Sequence, residues 1–202
     1  MSQQPGTDLI DKTRSLAMFP GKQDAGDRRI ISREAAIALI NWAKQYGLDA
    51  WSGHVCYMYG QPYITERGVL YHANPQKNYS GYSIIPIKEA QYAELGYPDA
   101  IAIWECCIFL RNRKGGITEW GVVESSEIAK LKRQVEATVR KEHGAGTVDE
   151  ATIQNIVADK LSYLPLFRAP STMARTRAIR RAHMKAFPIG PPEVENEPEP
   201  VP

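Results

Sequence analysis

The chain has 202 residues, of which 43% are hydrophobic and 24% charged, and this length and composition are typical of one globular domain. No apolar run approaches the roughly 18 residues of a transmembrane helix, and the N-terminus lacks the charged-then-apolar order of a signal peptide. We therefore expect a cytoplasmic protein with no membrane partner. The net charge is only +2, and the odd number of cysteines (Cys56, Cys106, Cys107) argues against a disulfide framework and for reduced thiols in the core.

The first part of the chain predicts a flexible arm, one helix and the start of a small sheet. Residues 1–28 are polar and contain several prolines and glycines, which favours a loosely ordered arm. Ser32 offers an N-cap for a helix that runs through Ala43 and ends at Gly47. The strands predicted next are Val55–Tyr59 and Tyr63–Ile64. Turns are predicted at Gln61–Pro62, Asn74–Pro75 and Ser80–Gly81.

The middle of the chain carries the clearest strand pattern. From Ala100 to Arg111 apolar side chains fill both alternating sets of positions, interrupted by Glu105, and this predicts a central strand. A basic turn at Arg111–Gly116 and a returning strand at Ile117–Val123 complete a predicted hairpin. The tip of this hairpin is basic.

Residues 125–162 are predicted to form a charged helical insertion. One helix begins at Ser125 or Ser126 and runs to about Glu142, and a second runs from Asp149 to Leu161. Neither helix has a broad apolar stripe, so we expect the insertion to pack on the surface.

A closing helix carries the positive excess of the chain. Between Arg168 and Gly190 lie six of the 25 Lys and Arg residues and none of the 23 Asp and Glu residues. Ser171 and Thr172, which follow Pro170, are the candidate N-caps. The side predicted to pack comprises Thr176, Ala178, Ile179, Ala182, His183, Ala186 and Phe187. The side predicted to face a partner carries Arg177, Arg180, Arg181 and Lys185.

Arg175 falls on the packing side of this helix, so it is predicted to reach the edge of the fold or to pair within it. Residues 191–202 are acidic and rich in proline, which predicts a disordered tail. Together these elements predict an α+β fold. A small antiparallel β-sheet with a hairpin packs against helices in a core of residues 29–190, and a basic helix closes it.

Several segments, taken in chain order, carry a resemblance to a known family. They are Tyr46–Trp51, the strand pair after it, Asn74–Tyr82, the strand-turn-strand from Trp104 to Trp120, and Met173–Phe187. In order and spacing they resemble the RecT/Redβ family of phage single-strand annealing proteins. The resemblance covers roughly Asp27 to Pro188 discontinuously, and the closing helix is its most specific part.

The resemblance implies a protein without a catalytic site that binds single-stranded DNA and anneals complementary strands in phage-type homologous recombination. It implies no nucleotide requirement, and no cofactor is expected. The partners implied are single-stranded DNA, the annealed duplex intermediate, and further copies of the chain in a ring or helical filament. A phage exonuclease or the host single-strand-binding protein is a further suggested partner, and the cytoplasm of a bacterial host is the expected location of this phage or prophage product.

Three groups of side chains are the candidate DNA contacts. The closing helix supplies Arg177, Arg180, Arg181 and Lys185, with Arg175 at a matching position of the family's helix. The hairpin tip supplies Arg111, Arg113 and Lys114, and the bend before the sheet supplies Lys77, Tyr79 and Tyr82. Cations contact phosphates and an aromatic ring can stack on a base. Turns are also basic because they are exposed, and tyrosines near turns also pack on their own sheet, so the structural interpretation stays open.

Other classes of function have less support in the sequence. His54 and Cys56 lack a second chelating pair at zinc-site spacing, and no P-loop motif indicates an ATP-driven recombinase or helicase. Glu105 and Glu119 are expected to pair with neighbouring arginines rather than to form a nuclease site. Two alternatives stay open. One is a non-enzymatic scaffold whose basic helix docks an acidic partner or its own Glu-rich tail, and the other is a different single-strand annealing family.

Overall fold

A computed structural model describes residues 33–58, 61–143 and 148–190, and these residues form an α+β fold, as predicted. In chain order the elements are α1 (Arg33–Gln45), β1 (Val55–Met58), β2 (Gln61–Ile64), α2 (Glu66–Ala73), β3 (Tyr79–Pro86), a 3₁₀ turn (Glu89–Gln91), β4 (Ala100–Leu110), β5 (Gly116–Glu124), α3 (Ser125–His143), α4 (Glu150–Ser162), α5 (Pro165–Arg168) and α6 (Pro170–Ala186). The predicted arm, the N-cap at Ser32 and the acidic tail lie outside the described residues. None of the described helices is both long and apolar enough to cross a membrane.

The strands form two antiparallel sheets. β1 pairs with β2, and a second sheet has the order β3-β4-β5. The predictions of β4 as a central strand and of the β4–β5 hairpin are therefore confirmed. The turn predicted at Gln61–Pro62 is wrong, because both residues pair with β1. A proline is tolerated in this strand because each strand of a two-stranded sheet has one unpaired edge. The turn at Ser80–Gly81 is also wrong, because these residues lie at a bulge within β3.

Helix α6 packs across one face of the three-stranded sheet. Its residues Ala178, Ile179 and Ala182 have no exposed surface and meet Cys106 and Ile108 of β4 in one core cluster. Residues of α1, including Leu39, Ile40 and Ala43, belong to the same cluster. The predicted packing side of the closing helix is thus confirmed, with Thr176 and Ala186 half-buried at its margins. Burial of this apolar side is what holds α6 on the sheet.

The approach of α6 to β5 requires a glycine. A Cβ atom placed on Gly121 would overlap the carbonyl oxygen of Ala174 and the backbone nitrogen of Ala178. Small residues on both elements therefore bring the two backbones into direct contact. The helix itself begins at Pro170 with Ala169 as N-cap and no side-chain cap, so the N-caps predicted at Ser171 and Thr172 are wrong.

A histidine is buried where α6 meets β3. His183 is 1% exposed, and its Nδ1 lies 2.8 Å from the carbonyl oxygen of Ile179. Because a carbonyl can only accept, Nδ1 carries the proton, and Nε2 accepts from the hydroxyl of Tyr79 at 3.2 Å. Desolvation of the buried ring lowers the pKa of His183 below its usual 6.5 and so favours the neutral side chain.

The two charged helices predicted between residues 125 and 162 are present as α3 and α4. They pack on each other and bury a small core of their own, made of Val139, Ile153, Val157, Leu161 and Leu164. Asp149 caps α4 by accepting from the backbone N–H of Thr152 at 3.0 Å. The apolar stripe of each helix is narrow, but the two stripes face each other.

We expect Gly121→Ala to lower the free energy of unfolding by about 2–4 kcal/mol, or to prevent folding, because the new methyl group forces α6 away from β5. Chemical denaturation measures the change. Thr118→Ala, on an exposed position of the same strand, is the control and should change stability by less than about 1 kcal/mol. A Gly121→Ala protein as stable as the control would contradict the close approach.

We expect the free energy of unfolding to fall as the pH is lowered from about 7.5 to about 5.5. Burial lowers the pKa values of His54, His72 and His183 in the folded state, so the unfolded chain binds protons more readily. The stabilisation is complete above the unfolded pKa and is lost below it. Denaturation of His183→Gln across this range should show a shallower pH dependence; an unchanged slope would contradict the assignment of His183.

Candidate nucleic-acid interface

One flank of α6 covers the free edge of β5. As an edge strand, β5 has outward carbonyl groups that β4 does not reach. Arg177 donates from Nη1 to the carbonyl of Val122 at 2.7 Å, and Arg181 donates from Nη1 to that of Trp120 at 3.2 Å. Four helical residues advance about 6 Å and two strand residues about 6.7 Å, so the two spacings match. The arginines therefore cap the edge of the sheet.

The same flank forms two ion pairs. Both Nη atoms of Arg177 contact the carboxylate of Glu127 in α3, and the side chain of Arg177 is 18% exposed. Lys185 pairs with Glu119 of β5 and is 62% exposed. The Arg177 pair is shielded from water and ties α6 to α3, whereas the Lys185 pair lies at the surface and contributes little to stability.

The other flank of α6 contacts β2 and α2. Arg175 pairs with Glu66 at 3.3 Å, which confirms the prediction that it reaches the edge or pairs within the fold. The hydroxyl of Thr176 donates to the same carboxylate at 3.0 Å. Arg180 donates from Nε to the carbonyl of Ile64 at 2.7 Å, and its guanidinium lies 3.8 Å from the centre of the Tyr63 ring. The five cations predicted as DNA contacts on this helix therefore all have contacts within the chain, and their binding of DNA stays a prediction.

A second group of predicted residues meets at the hairpin end of the three-stranded sheet. The backbone N–H of Arg111 donates to the carbonyl of Asn78 at 2.8 Å, so the β4–β5 turn lies beside the bend that precedes β3. This contact brings Lys77 close to the turn that carries Arg111, Arg113 and Lys114. We call these four exposed cations the sheet-end patch.

Within the part of the chain that the structure describes, the sheet-end patch has no acidic counter-ion. The segments that supply it, residues 67–88 and 106–118, contain no Asp or Glu. Among the described residues, none pairs as a counter-ion with the side chain of Lys77, Arg111, Arg113 or Lys114. The patch therefore presents uncompensated positive charge to solvent, which favours an anionic ligand.

Tyr79 and Tyr82, predicted to stack on bases, lie between β3 and α6. The Tyr79 ring packs edge-on against Phe187 with centroids 5.6 Å apart, and the Tyr82 ring packs against His183 at 5.1 Å. Burial raises the pKa of Tyr79 to about 12. The structure thus places both rings in the packing of α6 rather than on the sheet-end patch.

A cleft of about 920 Å³ lies between α3, β5 and α6, and sequence reasoning missed part of its lining. Lys130 and Arg133 of α3 line it together with Arg177 and Arg181 of α6, and Glu124 and Glu127 are the acidic residues of the lining. Because residues 125–162 were predicted to be a surface insertion, Lys130 and Arg133 were not among the predicted contacts. Their spacing of three residues on one helix face was the available signal.

The described residues contain no group of three or more His, Cys, Asp or Glu side chains that could hold a metal ion. Within the described residues, His54 Nδ1 accepts from the N–H of Asp49 at 3.1 Å, and the neighbouring Cys56 is a buried thiol with its pKa raised to about 11. Glu105 and Glu119 point to opposite faces of the sheet. Glu105 accepts from Trp120 Nε1 at 3.1 Å and Glu119 pairs with Lys185, so their expected pairing with arginines is wrong.

No protein-family model matches the chain, and no curated protein matches it with significant similarity. The described residues form an α+β fold, and a cationic surface without paired carboxylates lies at the hairpin end of its three-stranded sheet.

We expect Arg177→Met to lower the free energy of unfolding by about 1–3 kcal/mol, because it leaves Glu127 and the carbonyl of Val122 without their donor. Arg113→Met removes the same charge from the sheet-end patch and should change stability by less than about 0.5 kcal/mol. Chemical denaturation compares the two variants. Equal losses of unfolding free energy in the two variants would contradict the division between structural and exposed arginines.

Proposed function

We propose that the chain is an ATP-independent protein that binds single-stranded DNA and anneals complementary strands in phage-type homologous recombination. The observation that carries the proposal is the sheet-end patch, which gathers four exposed cations from two segments without carboxylates. The resemblance of the segments in chain order to the RecT/Redβ family supports the same conclusion. The cytoplasm of a bacterial cell is the corresponding location.

The physical basis is contact with the phosphate backbone. Neutralising about four phosphates of a single strand gives a salt dependence of log K with a slope of about −2.8. Such a contact is weak in one subunit and is independent of base sequence. Repetition of the patch along an oligomer on DNA raises the overall affinity, so a ring or filament of identical chains is part of the proposal.

Annealing in this proposal needs no bound nucleotide. A protein that shields phosphates lowers the repulsion between two strands, and base pairing itself supplies the free energy of the product duplex. The residues assigned to this task are Lys77, Arg111, Arg113 and Lys114. Arg181 and Lys185 lie along the exposed edge of α6 and are the helix residues best placed to extend the contact.

The test is annealing of two complementary labelled oligonucleotides without nucleotide. We expect the intact chain to accelerate annealing and the triple variant Arg111→Ala/Arg113→Ala/Lys114→Ala to lose most of this effect. The salt slope for single-strand binding should become smaller by about 2 in the variant. These residues are exposed, so the fold should be unchanged.

The matched control removes the same charge elsewhere. Lys44, Lys88 and Lys132 are exposed and lie outside the sheet-end patch, and their triple replacement by Ala should leave annealing close to that of the intact chain. If both triple variants lost annealing equally, the effect would depend on net charge and not on the position of the sheet-end patch. An intact protein that neither binds nor anneals single strands at low salt would refute the proposal.

A further inference from the structure

An exposed aromatic side chain lies beside the sheet-end patch. Phe109 is the penultimate residue of β4, and it is 45% exposed. Ile108 and Cys106 occupy the other set of alternating positions on β4. Both are fully buried, and both belong to the core cluster that contains residues of α6. Ile108 therefore faces α6, and Phe109 projects from the opposite face of the sheet.

The cross-strand partners of Phe109 are both glycines. Phe109 pairs with Gly81 on β3 and with Gly116 on β5. Aromatic residues on strands are usually covered by cross-strand side chains about 5 Å away, and here neither neighbour has one. The register of the two strand pairs thus places no cross-strand side chain directly opposite the ring.

The two glycine positions differ in what occupies the adjoining space. A Cβ atom placed on Gly116 would overlap the sulfur of Cys107, so the thiol fills that side. A Cβ atom placed on Gly81 would meet no heavy atom within 4 Å. The space beside Gly81, the residue of β3 that lies opposite Phe109 in the register, is therefore open.

Cations of the sheet-end patch lie at the same end of the sheet as Phe109. Arg111 follows Phe109 by two residues, and its backbone N–H holds the bend that carries Lys77. An exposed apolar ring at the same end of the sheet as several cations fits a ligand with alternating flat apolar groups and negative charges. A single-stranded nucleic acid has this chemistry, because its bases are free to stack and its phosphates are regularly spaced.

We propose that Phe109 stacks on an unpaired nucleobase in the open space beside Gly81 while the sheet-end patch binds the adjoining phosphates. This inference rests on the proposed function and assigns an aromatic contact with the bases within its site. A duplex hides the faces of its bases, so the ring distinguishes single strands from duplex where the cations alone do not.

The test uses Phe109→Leu with two probes of equal length, oligothymidylate and an abasic oligodeoxynucleotide. We expect Phe109→Leu to bind oligothymidylate about tenfold more weakly and the abasic probe as the intact chain does. The salt slope should stay unchanged, because no cation is removed. Phe109→Tyr, which keeps a stacking ring, should restore the affinity for oligothymidylate.

Tyr163→Leu is the matched control, since Tyr163 is 49% exposed and lies at the end of α4. It should leave binding of both probes unchanged. Unaltered binding of oligothymidylate by Phe109→Leu overturns the stacking inference and leaves the proposed function standing. Equal weakening toward both probes also overturns it, because the ring would then act through the fold. No binding of either probe by the intact chain overturns both proposals.

Discussion

The backbone contact between α6 and β5 at Gly121 is the constraint on which the rest of the structure depends. Only a glycine lets Ala174 and Ala178 reach the strand, and that approach sets the depth at which α6 lies on the sheet. At this depth the apolar side of α6 covers β4, and Arg177 and Arg181 reach the unpaired carbonyls of β5. The same placement seals the edge of the sheet against pairing with another strand.

Cations lie in two different environments in this protein. The dense cluster on α6 holds the helix between β5 on one flank and β2 and α2 on the other, and arginine suits this task because its planar guanidinium offers several donors at fixed angles. The smaller cluster at the hairpin end of the sheet has no acidic neighbours in its own segments. Local charge density along the chain is therefore a poor guide to available charge, which depends on what the fold places opposite each side chain.

Local patterns in the sequence were sufficient to predict α1, α3, α4, α6, the β4–β5 hairpin and the apolar side of α6, because these follow from periodicity and turn chemistry. The short helices α2 and α5 were not predicted. The partners of Arg177 and Arg181 depend on which edge of the sheet is free. The strand order that decides this cannot be predicted from the local sequence of α6 or of β5. The environment of Phe109 depends on two strand registers and a bulge at Gly81, so its exposure could not be read from the alternating pattern of β4. The stacking role predicted for Tyr79 and Tyr82 overlooked that their side of β3 is covered by α6.

Amide hydrogen exchange of the intact chain, with and without oligothymidylate, tests the division between structural and ligand-binding cations most directly. The account predicts added protection in the β4–β5 turn and in the bend around Lys77, with no change in α6, whose backbone is already protected by packing. Added protection confined to α6, with none at the hairpin end of the sheet, would contradict it.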